Sequence, residues 1–138
     1  MTTLAASRGI RVVKSKSIEL LGKVEQVYQG GIACFDTSTG LIAKGFASTT
    51  LIPIGTYVED QLTVSGQTVA INLYKELVAV WYANSASTDL IAQAQCGSDC
   101  FIVDDTTVAK TSASSTRSVA GRAWMVDSVK GVLVEQHG

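Results

Sequence analysis

Apolar residues in this chain come in short runs, and nearly every run ends on a turn signal. The pattern is clearest over residues 100–135. There Phe101, Ile102 and Val103 form one run, closed by Asp104 and Asp105. Residues 106–110 form a second, followed by a loop rich in Ser and Thr. Residues 119–126 form a third, closed by a turn over 127–131, and Val132, Leu133 and Val134 form the last. That spacing predicts consecutive antiparallel strands. Upstream, Val69, Ile71 and Leu73 alternate with Ala70, Asn72 and Tyr74, the period of a half-buried strand. Residues 31–35 and 41–46 flank the turn sequence DTSTG and predict a hairpin, and Ser65-Gly66 predicts another tight turn.

Three stretches read less simply. Leu20, Val24, Val27 and Tyr28 fit a helical face, but Gly22 in their midst costs a helix about 1 kcal/mol, which favours two strands around a Gly22-Lys23 turn. Pro53 cannot donate to a ladder, so residues 51–54 are expected at an edge or in a connection. The nearly continuous apolar run 76–83 predicts a strand buried on both faces, with a helical turn as the alternative. Asp89 is placed to cap a short helical segment over 90–95. Turns recurring every eight to twelve residues predict an all-β sandwich or barrel, in which closing or doubling the sheet removes exposed edges.

Composition agrees. Of 138 residues, 39 are Val, Ile or Thr, whose branched side chains pack well on a pleated surface. The length suits one domain with a core that needs neither disulfides nor metal, expected over residues 18–138 behind a leader at 1–17. Charged residues make up only 17 %, with a net charge of −1, so no basic footprint for nucleic acid is present, and a weakly charged surface favours association. No apolar run has transmembrane length, and the N-terminus lacks the form of a secretory signal, so synthesis and folding in a cytoplasm are expected, with no membrane partner.

The search for chemistry excludes more than it finds. The single histidine, His137, is a poor candidate for a base, and no phosphate-cradling glycine motif occurs. Cys34, Cys96 and Cys100 are an odd number with a CxxxC spacing, so free thiols are expected rather than a disulfide or zinc site. Glu59-Asp60 and Asp104-Asp105 are adjacent pairs whose carboxylates diverge on a strand, and the second reads as a turn. No catalytic residue, metal or cofactor is therefore expected. Trp81, Trp124, Tyr28, Tyr57, Tyr74 and Tyr82 suit a core or subunit interface, or the stacking platform of a carbohydrate-binding module.

The leader has the sharpest local charge bias. It holds Arg8, Arg11, Lys14 and Lys16 and no acid, with Ile10, Val12 and Val13 as its strand-like residues. It reads as a floppy tail or as an extended arm that orders along a partner by adding an edge strand.

Residues 83–135 also resemble a family of small tailed-bacteriophage head proteins, the capsid decoration or cement proteins, including the Bordetella-phage type. The matching elements are Ala83-Asn84-Ser85, the block 100–110, Thr116-Arg117-Ser118 with Ala120-Gly121, and Val126-Asp127 followed by Gly131-Val132. Thr106 and Ser128-Val129-Lys130 depart from the tighter turns of the family, and residues 1–82 match only in general character. The resemblance implies a jelly-roll-like or barrel-like β domain on the outer surface of a virion head. There it would join neighbouring major capsid protein subunits, as a homodimer or trimer, with the four basic leader residues as a capsid-contact arm. It implies no catalytic residues. A carbohydrate- or receptor-binding β module of a virion is the alternative reading.

Overall fold

The computed structural model describes residues 17–73 and 79–136. They form twelve strands: β1 Ser17–Leu21, β2 Gln26–Val27, β3 Ile32–Asp36, β4 Leu41–Lys44, β5 Leu51–Tyr57, β6 Gln61–Leu62, β7 Thr68–Leu73, β8 Val80–Asn84, β9 Asp99–Ile102, β10 Thr107–Ala109, β11 Val119–Asp127 and β12 Gly131–Gln136. The only helical pieces among them are 3-10 turns at Ser87–Asp89 and Gln93–Gln95. The fold is all-β, and its second half is a closed barrel.

The first half is a five-stranded sheet in the order β1-β7-β5-β3-β4. It curls on itself until β4 meets the end of β1 through a parallel bridge between Gly22 and Ile42. Val27, Ala33, Ile42, Tyr57, Val69 and Ile71 fill its interior. A two-stranded ribbon, β2 with β6, covers one side. Thr63 pins the ribbon from within: it is buried, its hydroxyl accepts from the Glu25 amide at 3.0 Å and its donor faces the Lys23 and Glu25 carbonyls. The Gly22-Lys23 turn thus separates two strands, but each finds a distant partner, β7 for β1 and β6 for β2.

The second half is a barrel in the order β10-β8-β12-β11-β9, antiparallel except where β10 closes it against β8 in parallel. Alternate residues point inward, so Tyr82, Cys100, Ile102, Val108, Val132 and Val134 are buried together. Ile91 plugs one end, held by the Asn84 amide, which donates to its carbonyl at 2.8 Å and accepts from its N–H at 2.9 Å. The halves share this core: Ile32, Cys34 and Leu51 from β3 and β5 belong to the same apolar cluster. The buried Ser118 hydroxyl fastens the seam, donating to the Ser48 carbonyl at 2.5 Å and accepting from the Leu51 amide at 3.1 Å. The Gln136 amide donates to the Gly55 carbonyl and to the Tyr82 hydroxyl.

Three expectations are corrected. Pro53 does not mark an edge strand, because β5 lies between β3 and β7. It is tolerated because β7 pairs only with Gly55, Thr56 and Tyr57, leaving Pro53 beyond its reach, and because Ile54 bulges between the pairs Ala33–Gly55 and Cys34–Pro53. In the run 76–83, residues 76–78 lie outside the described residues; the part in β8 is not buried on both faces, since Tyr82 points in and Ala83 is exposed. Asp89 does not cap a helix; its carboxylate accepts from the Thr111 hydroxyl at 2.5 Å and from Arg117 at 3.3 Å, and the segment that follows is only a 3-10 turn.

The DTSTG hairpin forms between β3 and β4, with Asp36 as its organiser. This buried carboxylate accepts from the Ser38 hydroxyl at 2.7 Å, the Thr50 hydroxyl at 2.8 Å and the Ser38 amide at 3.0 Å. Those bonds, the Ser38 hydroxyl first and then Thr50, hold its pKa below the usual carboxylate value. A depressed folded pKa stabilises the fold above the unfolded value, and that contribution is lost as pH falls from about 4 through the folded pKa. Asp36→Asn should therefore flatten the loss of stability below about pH 4, read as urea midpoints at several pH values. An unchanged slope would show that Asp36 does not titrate in this range.

Candidate interaction face

The outer wall of the barrel carries the chain's two tryptophans. Cross-strand register sets Met125 of β11 opposite Leu133 of β12, and Leu133 opposite Trp81 of β8. Their inward neighbours Val134 and Val132 are core, so this row points out. A bulge between Ala123 and Met125 adds Trp124 to the same wall. Without that extra residue Trp124 and Met125 would face opposite sides; with it, Trp124 is 46 % and Met125 50 % exposed. Three polar side chains frame the row. The Arg122 guanidinium lies 5.8 Å from the Trp124 ring centre, and the Lys130 ammonium lies 5.5 Å from that of Trp81. The Trp124 indole donates to the Glu135 carboxylate at 3.3 Å. Large apolar and aromatic groups inside a charged rim are the composition of a protein interface.

Beside Trp81 opens a cleft of about 670 Å³, lined among others by Asn84, Leu90, Val126, Asp127 and Lys130. Its lip is the β11–β12 turn, in which the Asp127 carboxylate accepts from the Val129 and Lys130 amides at 2.8 and 2.9 Å.

The remaining sequence candidates are structural or scattered. Asp104 accepts from the Thr106 and Thr107 amides at 2.9 and 2.8 Å, the expected turn. Partial burial raises its pKa, but the bonds from Thr106 and Thr107 outweigh this and leave it low. Asp60 caps the Gln29 amide at 2.9 Å. Tyr57 and Tyr82 are core residues, whereas Tyr28 is exposed, and the Gln29 and Gly30 that follow it line the same cleft as Trp81. Tyr74, His137 and the leader residues Arg8, Arg11, Lys14 and Lys16 lie outside the described residues. Among the described residues no three His, Cys, Asp or Glu side chains stand close enough to hold a metal ion, and no helix is long and apolar enough to cross a membrane.

All three cysteines are unpaired. Burial first, then nearby acids, pushes the Cys34 thiol up to about 12, and burial followed by Asp99 does the same to Cys100. Cys96 is half-buried. A thiol reagent at pH 8 should therefore label one cysteine per native chain and three after denaturation. Labelling of all three at equal rates in the native protein would contradict this burial.

The fold is all-β, and the barrel wall with its charged rim is a candidate interaction face. Comparison with protein-family models, with curated proteins and with solved structures found no match.

Proposed function

We propose that this protein is a structural component of a tailed-bacteriophage virion. In this reading it binds the outer surface of the head, joins neighbouring major capsid protein subunits, associates with itself and stabilises the capsid. The observation that carries the reading is the outward row Trp81, Leu133 and Met125 with Trp124 beside it. Trp124, Met125 and Leu133 lie within the stretch whose sequence resembles the decoration proteins, and Trp81 stands just ahead of it. An apolar wall of this kind on a rigid barrel suits docking to another protein, and a repeating lattice multiplies even a modest contact. The test is co-sedimentation with empty expanded heads. Saturation at a fixed ratio to capsid subunits is expected; no binding to heads would overturn the proposal.

The carbohydrate- or receptor-binding reading draws on a different observation. Trp81 forms a wall of the 670 Å³ cleft, near the polar side chains Asn84, Asp127 and Lys130, an arrangement on which a sugar ring could stack. Binding to a glycan array, abolished by Trp81→Ala and accompanied by failure to bind heads, would favour it.

A further inference from the structure

The two halves of the chain leave a second concavity between them. Strand β7 pairs with β5 only from Gly55 onward, so residues 51–53 have no strand on that side. Leu51 instead gives its amide to the Ser118 hydroxyl at 3.1 Å, and Pro53 has no N–H to offer a further strand. The gap is a groove of about 630 Å³. Its floor is apolar: Leu51, Ile52 and Pro53 from β5, Phe101 from β9 and Val119 from β11. It shares no residue with the tryptophan wall or with the cleft beside Trp81.

The polar side of the groove is built by the loop between β10 and β11. Ala113, Ser114 and Ser115 have φ of 51, 60 and 65°, three successive left-handed residues with no glycine among them. The Thr116 and Arg117 amides hold this form by donating to the Ser112 carbonyl at 2.9 and 3.1 Å. The Ser115 amide donates to the Ser112 hydroxyl at 3.1 Å. Strain of this kind clusters where a loop presents a site, and here it sets Ser112, Ser115 and Arg117 on one groove. The Arg117 side chain is only 16 % exposed. Its Nη1 donates to the Asp89 carboxylate at 3.3 Å and to the Thr111 carbonyl at 3.2 Å. Among the described residues nothing occupies its Nε or Nη2. The Ser115 and Thr49 hydroxyls also lack a partner among the described residues, and the Ser112 hydroxyl keeps its proton to donate.

The described lining is therefore rich in donors and holds no acid. Asp89 stands behind Arg117, ionised: the Thr111 hydroxyl foremost, then Arg117 and Lys110, hold its pKa below the usual carboxylate value. Two cations against one carboxylate leave a single positive charge in excess, which matches a monoanion better than a phosphate dianion. A guanidinium edge beside hydroxyl donors suits a carboxylate, and a concavity of this size takes a ligand with an apolar body as well. We infer that this groove binds an apolar monocarboxylate, its carboxylate against Arg117 and the neighbouring hydroxyls and its body on the Leu51, Phe101 and Val119 floor. The acid is a free small molecule or the apolar end of a polypeptide chain; the recognising chemistry is the same.

An amide-resolved NMR titration of the full chain with 4-phenylbutyrate tests this. Saturable shifts are expected at Leu51, Ile52 and residues 112–119. The uncharged 4-phenylbutyramide should bind about tenfold more weakly, the size of a charge-assisted hydrogen bond. Arg117→Gln should lower the acid to the level of the amide and leave the amide unchanged. A residue that merely braces the loop would weaken both probes alike. If Arg117→Gln fails to fold, Thr49→Asp replaces it: this exposed rim residue becomes an acid, which should weaken the carboxylate severalfold and spare the amide. Equal binding of acid and amide, equal loss of both in either variant, or no shift in the groove up to about 10 mM probe would overturn the inference. N-acetyl-Gly-Phe and its terminal amide distinguish the sources. Tighter binding of the peptide acid than of phenylbutyrate assigns the groove to a chain end, and the reverse order to a free acid. Trp124→Ala should bind phenylbutyrate as the parent does, so failure here is distinct from failure of the capsid reading.

Discussion

Gly131→Ala is expected to destabilise the protein by about 4 kcal/mol, near the upper end for a single substitution. Gly131 opens β12 with φ +97°, a conformation that a side chain opposes by about 1–3 kcal/mol. A Cβ built there would also lie 2.1 Å from the Tyr82 carbonyl oxygen, closer than any real contact. That oxygen belongs to β8, which pairs with β12 through Val132 and Tyr82, so the clash cannot be relieved without parting two barrel strands. The measurement is thermal or urea unfolding. At roughly 3 °C per kcal/mol for a chain of this size, the midpoint should fall by about 10 °C or more. Gly40→Ala is the useful comparison. It shares a positive φ of +76° but meets nothing within 4 Å, so it should cost only the conformational part. Equal losses at the two glycines would refute the packing argument.

Trp124→Ala and Met125→Ala should impair partner binding while leaving the fold intact. Both side chains are about half exposed on the barrel wall, so truncation removes little core. In an interface a tryptophan of this kind is commonly worth about 2 kcal/mol or more, which is roughly a 30-fold change in affinity. The expected outcome is head binding weakened at least that much by Trp124→Ala, with a thermal midpoint within a few degrees of the parent. Arg122→Ala should have a smaller effect, since it lies at the rim. Head affinity unchanged within twofold for both truncations would remove the wall from the proposed contact.

Much of the fold was legible because turn chemistry is local. The Asp36, Asp104 and Asp127 turns each bond the amides that follow, as their sequences predict. The alternation over β7 likewise placed Val69 and Ile71 inside. What the sequence could not reveal depends on pairing between distant strands. Pro53 looked like an edge because nothing local says that β7 stops short of it. The row Trp81–Leu133–Met125 exists only through the register of three strands, one of them about fifty residues from the others. The bulge that turns Trp124 outward leaves no mark in the alternation of residues 119–126. The aromatic residues themselves were visible, but their division into core and wall was not.

The position of β12 has a consequence for how the barrel comes into being. It lies between β8 and β11, bonded to both, although it follows them in the chain. Until residues 131–136 are available, β8 and β11 each expose an unpaired edge, and the ring cannot close from β9 and β10 alone. Such edges pair readily with any similar strand nearby. Assembly is therefore a race between the hairpin that delivers β12, held ready by the Asp127 turn, and encounters between unfinished chains. Slow production or low local concentration should favour closed barrels, and crowding of nascent chains should favour aggregates.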